Sequence, residues 1–98
     1  MTEGQIRKEV IKKLKKEGWL YDYKPKTRFQ HTDLFNCWDI VAIKEGKIKF
    51  IQFTSLPNIR TREKKIKDFL KKNNISIYSE IWGWDKKKKE FKIIFVYS

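Results

Sequence analysis

The stretch 38-WDIVAIKEGKIKFIQFTS-55 decides the fold. At its centre 44-KEGK-47 is a tight turn around Gly46, with strand-like sequence on either side, 37-CWDIVAI-43 before it and 48-IKFIQFTS-55 after it. Two strands joined by so short a connection form an antiparallel hairpin. Its polar residues stand out against the apolar background. Asp39 opens the first strand, and Gln52 and Thr54 lie near the end of the second, on one face because they are two residues apart.

Working outward, 3-EGQIRKEVIKKLKKEG-18 places Ile6, Val10, Ile11 and Leu14 at helical spacing. Thr2 is its expected N-cap, Gly18 its expected stop, and Arg7, Lys8, Lys12, Lys13, Lys15 and Lys16 make a basic outer side. The alternation in 19-WLYDYKP-25 predicts a strand, and the irregular 26-KTRFQHTDLFNC-37 a loop. Beyond the hairpin, Leu56-Pro57 breaks the strand and Asn58 offers a cap. Ile59, Ile66, Phe69 and Leu70 then mark a helix from Ile59 to Lys72, which Asn73-Asn74 can end in the left-handed conformation. Two more strands, 75-ISIYSEIWGW-84 and 90-EFKIIFVYS-98, flank the turn 85-DKKKK-89. The order α-β-β-β-α-β-β predicts a single α/β domain over residues 1–98, a mixed sheet flanked by two helices.

Twenty-four Lys and Arg face 12 Asp and Glu, for a net charge of +12 in 98 residues. That imbalance favours a polyanionic partner, nucleic acid above all. A lysine-rich composition that only solvates the surface is the competing explanation. No apolar run is long enough to span a membrane, and no leader is readable, so a cytoplasmic protein with no membrane partner is expected. The lone Cys37 excludes an internal disulfide and reads as a small buried hydrophobe. His31 has no second His or Cys at ligand spacing and reads as a surface residue.

The helix, three-strand meander, helix and strand resemble the core of the PD-(D/E)xK nucleases, a group that includes restriction endonucleases and the archaeal Holliday junction resolvases. In that family an Asp begins the second strand of the meander, and the third ends with an acid, any residue and a lysine. Here Asp39 stands at the Asp position, Gln52 at the acid position and Thr54 at the lysine position, with Trp38 where a Pro is frequent. The segment 8-KEVIKKLKKEGW-19 is similar to the first helix of the resolvases, and the likeness covers roughly residues 5 to 72.

The resemblance implies a restriction endonuclease-like fold and a metal-dependent phosphodiesterase acting on DNA. Asp39 and Gln52 would be the metal ligands, for Mg²⁺ or Mn²⁺, and Thr54 would orient water or phosphate. Gln52 brings a neutral oxygen in place of a carboxylate, and Thr54 brings no positive charge. Asp33 or Glu80 are the candidates for a displaced acid, and Lys65 for a displaced lysine. Arg7 occupies the place of an assisting first-helix Glu, with Glu9 two residues on. Solvent-facing positions at a strand end are the plainer explanation of Gln52 and Thr54, and a turn or cap role that of Asp39.

Phosphate contacts are expected from Ser55, Arg60, Arg62, Lys64 and Lys65 around the start of the second helix, in preference to the tetralysine 86–89. Trp82 and Trp84, like Tyr21 and Tyr23, suit core packing better than stacking on bases. Two further functions stand beside the enzyme: a DNA-binding module of this fold that has lost catalysis, and a protein-binding or inhibitor domain. A two-fold dimer, the resolvase arrangement, is implied only if the likeness extends to substrate.

Overall fold

The structure is a computed structural model, and it describes residues 2–23, 34–35 and 37–96. Helix α1 spans Glu3–Lys16 and β1 Leu20–Tyr23; β2 (Ile40–Lys44) and β3 (Lys47–Ser55) form the hairpin. A 3-10 turn, Leu56–Asn58, leads into α2 (Ile59–Asn73), followed by β4 (Ser79–Asp85) and β5 (Glu90–Val96). The chain is thus α/β, with two helices on a five-stranded mixed sheet among the described residues, in the order β1-β2-β3-β4-β5. All neighbours are antiparallel except β3 and β4, which run parallel and need α2 as their crossover.

Local chemistry sets the ends of these elements. Thr2 and Gln5 close a capping box on α1. Gly18, at φ 84°, ends it: Gly18 N–H donates to Lys15 O (3.1 Å) and Trp19 N–H to Leu14 O (2.9 Å). Helix α2 ends the same way, with Asn74 in the left-handed position and Ile75 N–H on Leu70 O (3.1 Å). In the β2–β3 loop Glu45 (φ 50°) and Gly46 (φ 79°) are both left-handed, the geometry that matches hairpin twist.

The pleat divides the core in two. Ile51 and Phe53 of β3 pack with Ile6, Val10 and Leu14 of α1, together with Trp82. Phe50 and Ile81 face the other way, under Ile59, Ile66 and Leu70 of α2. Strand β3 is therefore covered on both sides, which explains its near-continuous apolar run. Gly83 lets the start of α2 settle against β4, since a Cβ there would collide with the Ile59 side chain.

Two features depart from expectation. Residues 75–78 lie outside β4, which starts only where pairing with Phe50 begins, at Ser79. Asn58 does not cap α2 with its side chain; the 3-10 turn continues directly into the helix, and Asn58 Nδ2 donates to Ser55 Oγ (2.9 Å) instead. The last strand is described as far as Val96, and residues 97–98, like residues 24–25 of the expected first strand, lie outside the described residues. Most of the expected loop 26–37 lies outside them too. No helix among the described residues is long and apolar enough to cross a membrane.

Candidate functional site

Trp38 anchors the entry to β2: its ring packs on Phe50 (centroids 5.1 Å apart) and edge-on to Phe69 (5.6 Å). The next residue is held by the sheet, with Asp39 N–H donating to Ile51 O at 2.8 Å. Asp39 therefore meets Gln52, and the structure brings the two side chains together. Asp39 Oδ2 accepts from Gln52 Nε2 at 2.8 Å and from Phe53 N–H at 2.9 Å, and Gln52 Nε2 also donates to Phe53 O at 3.2 Å. Both are buried, at 8% and 3% exposure, and Thr54 follows one pleat on at 7%. A solvent-facing strand end does not describe them.

The direction of these bonds governs the chemistry. Both neighbours of the Gln52 amide nitrogen are acceptors, so turning the amide over would set its oxygen against two other oxygens. Gln52 thus presents a hydrogen where a metal site needs a second anionic oxygen, while its own Oε1 is buried with no hydrogen-bond partner among the described residues. A hard divalent cation asks for several oxygen ligands, carboxylates foremost. Among the described residues no group of three or more His, Cys, Asp and Glu could supply them. Asp39, Gln52 and Thr54 do not fit Mg²⁺ or Mn²⁺ as they stand.

Of the proposed replacements, Glu80 is turned away from the pair. Glu80 sits on the α1 side of the sheet, where it pairs with Lys49 Nζ (3.1 Å) and accepts from Trp82 Nε1 and Tyr78 Oη (2.8 Å each). Arg7 belongs to α1 on that side, its guanidinium 5.2 Å from the Tyr23 ring centre. Lys65 is half-buried on α2, and Asp33 and His31 lie outside the described residues. The Lys49–Glu80 pair is unanticipated: its side chains are 9% and 7% exposed, and the ammonium lies 4.1 Å from the Trp19 ring centre and 5.5 Å from that of Trp82. The signal was present in the sequence, because Lys49 shares a strand face with Ile51 and Phe53.

The phosphate-contact candidates form a different feature. A cleft of about 580 Å³ opens between the start of α2 and the β4–β5 hairpin, lined by Ile59, Arg60, Lys88, Glu90 and Lys92 among others, three cations against the acids Glu90 and Asp85. A second, of about 490 Å³, lies beside it on the α1 side and is lined by Ser55, Trp84, Lys86 and Lys87. Leu56, Pro57 and Asp85 border both. Arg60 and the tetralysine, set against each other as alternatives, thus flank one another at the carboxyl ends of the parallel strands. Lys64 is exposed, and Arg62 is half-buried with its Nε unpartnered among the described residues. Neither cleft is lined by Asp39, Gln52 or Thr54.

Arg60 is not a free cation. It donates to Glu63 Oε1 at 2.8 Å, and Lys67 approaches the same carboxylate at 3.4 Å. The Arg60 hydrogen bond, with Lys67 assisting, holds the Glu63 carboxyl below its ordinary range. Glu63 therefore stays ionised, and Arg60 paired, until the pH falls below the usual carboxylate range. The α2 N-terminus is itself partly occupied, since Ile59 N–H donates to Leu56 O in the preceding turn. Side chains are what remain for an anion. No family model matches the chain, and no curated protein matches it.

Proposed function

We propose that the protein binds nucleic acid, DNA foremost, through the two basic clefts, and that it does so without hydrolysing it. The observation that carries this reading is the gathering of Arg60, Lys88 and Lys92 around one cleft and Lys86 and Lys87 around its neighbour. They meet at the carboxyl ends of parallel strands, where open α/β sheets hold their ligands. The +12 charge supports a polyanion over an acidic small molecule. The element order, the parallel β3–β4 pair and the meeting of Asp39 with Gln52 support a PD-(D/E)xK-like ancestry. The amide in place of a second carboxylate supports a binder over a nuclease, and a cytoplasmic setting suits such a role.

Fluorescence anisotropy with labelled DNA tests this. With about four phosphates neutralised, affinity should fall roughly 100-fold between about 50 and 200 mM salt. The triple variant Arg60→Glu/Lys88→Glu/Lys92→Glu should weaken binding at least about tenfold more than Lys8→Glu/Lys12→Glu/Lys15→Glu, which makes the same charge change on the exposed face of α1. Equal losses would mean that bulk charge and not the clefts governs binding. A flat salt response would remove nucleic acid as the partner.

A further inference from the structure

The smaller cleft combines two chemistries that a double helix does not use together. Its wall is apolar, made by Ile6, Leu56, Pro57 and the half-buried Trp84, and its rim carries Ser55, Lys86 and Lys87. Trp84 is opposite Ser55 at the last rung of the parallel ladder, and its indole is braced by Phe91, with ring centres 4.9 Å apart at 68°. The rim is equally well placed. Asp85 Oδ1 accepts from Lys87 N–H (3.0 Å) and Lys88 N–H (3.1 Å), which fixes the turn that displays the lysines and engages one oxygen of the acid bordering the cleft. Ser55 Oγ already accepts from Asn58, so its hydroxyl hydrogen is left to donate.

A planar apolar surface beside two ammonium groups and a hydroxyl donor suits a nucleobase with its phosphate. A paired base is stacked within the duplex and cannot enter a recess, whereas an unpaired base offers its face to an aromatic side chain. We propose that this cleft takes an unpaired nucleotide, with its base against Trp84 and its phosphate on Lys86, Lys87 and Ser55. This deepens the nucleic-acid reading and rests on it. The strand continues past Pro57 into the larger cleft, where Arg60, Lys88 and Lys92 meet the backbone. The ligand class is therefore nucleic acid with a single-stranded portion: a single strand, an overhang or a branch.

The test compares three labelled ligands of equal length at low salt on the unaltered chain: oligo-dT, an abasic strand of the same charge, and a blunt duplex. Oligo-dT should bind about tenfold tighter than the abasic strand, a loss within the range of one stacked base, and tighter than the duplex. Trp84→Ala should remove that preference, and Trp84→Phe, which keeps a ring, should retain part of it. Thermal melts confirm that each variant folds, and the abasic comparison needs no variant. Equal binding of oligo-dT and the abasic strand, or tighter binding of the duplex, overturns the nucleotide site and leaves the nucleic-acid reading standing. Failure of all three ligands to bind overturns both.

Discussion

Replacing Gln52 with glutamate should destabilise the protein in EDTA by about 3 kcal/mol near neutral pH and make its stability rise with Mn²⁺ concentration. The donor that holds Asp39 Oδ2 at 2.8 Å becomes a second carboxylate in a site that is 3% exposed. Two adjacent carboxyls cannot both ionise at ordinary pH, so one is driven above the usual range. The folded variant then holds a proton that the unfolded chain has released. Relative to the parent, its stability therefore falls as pH rises from the unfolded carboxylate pKa to the raised folded one.

A divalent cation reverses that repulsion. At 100 times its Kd it would restore about 2.7 kcal/mol, and Thr54→Lys would add the missing positive charge beside it. Asp39→Asn in the Gln52→Glu background should abolish both the loss and the rescue. Thermal melts with and without Mn²⁺ decide the matter. A variant that melts like the parent and ignores Mn²⁺ would show that residues 39 and 52 do not share a site.

Glu80→Ala should cost about 3–5 kcal/mol, which in a chain of this size lowers Tm by roughly 12–40 °C. The loss is large because one side chain serves three partners. Lys49 would keep a buried ammonium without this counter-charge, and the Trp82 Nε1 and Tyr78 Oη hydrogen bonds to Glu80 would be lost. Glu80→Gln should cost less, since the amide oxygen still accepts from Trp82 Nε1 and the amide nitrogen can donate to the Tyr78 hydroxyl. Lys49→Met combined with Glu80→Leu should recover much of the loss, because removing both charges removes the desolvation penalty. For contrast, Lys67→Ala breaks a pair with Glu63 whose lysine side is exposed, and should change stability by no more than about 0.5 kcal/mol. Urea unfolding measures all four, and a Glu80→Ala cost under about 1 kcal/mol would mean that solvent screens the pair.

Features set by neighbouring residues were legible in the sequence. Gly46 fixes the hairpin, and counting five residues outward from the paired Lys44 and Lys47 reaches Asp39 and Gln52, so their meeting followed from the turn. Thr2, Gly18 and Asn74 marked the helix ends because capping is local chemistry. What stayed hidden depends on the parallel register between β3 and β4. Ile51 pairs with Glu80, and that rung alone brings Glu80 to Lys49 on the shared face. The same register, followed by β5, carries Lys88 and Lys92 round to Arg60. Asn58 misled because Pro57 extends the helix backward as a 3-10 turn and leaves its side chain free for Ser55.

The two neighbours of β3 are reached at very different speeds. Strand β2 joins it across a two-residue turn, a closure of the microsecond class, whereas β4 arrives only after residues 56–78 have folded back. The nucleus is therefore expected in the β2–β3 hairpin, with the parallel ladder and β5 added on the downhill side of the barrier. Val41→Ala should then mainly slow refolding, while Ile94→Val should mainly speed unfolding, as stopped-flow chevrons would separate. The reverse assignment would place the nucleus in the crossover. If the order holds, the contact between Asp39 and Gln52 is among the first polar bonds the chain makes, and the basic clefts, built from β4 and β5, are among the last surfaces to exist.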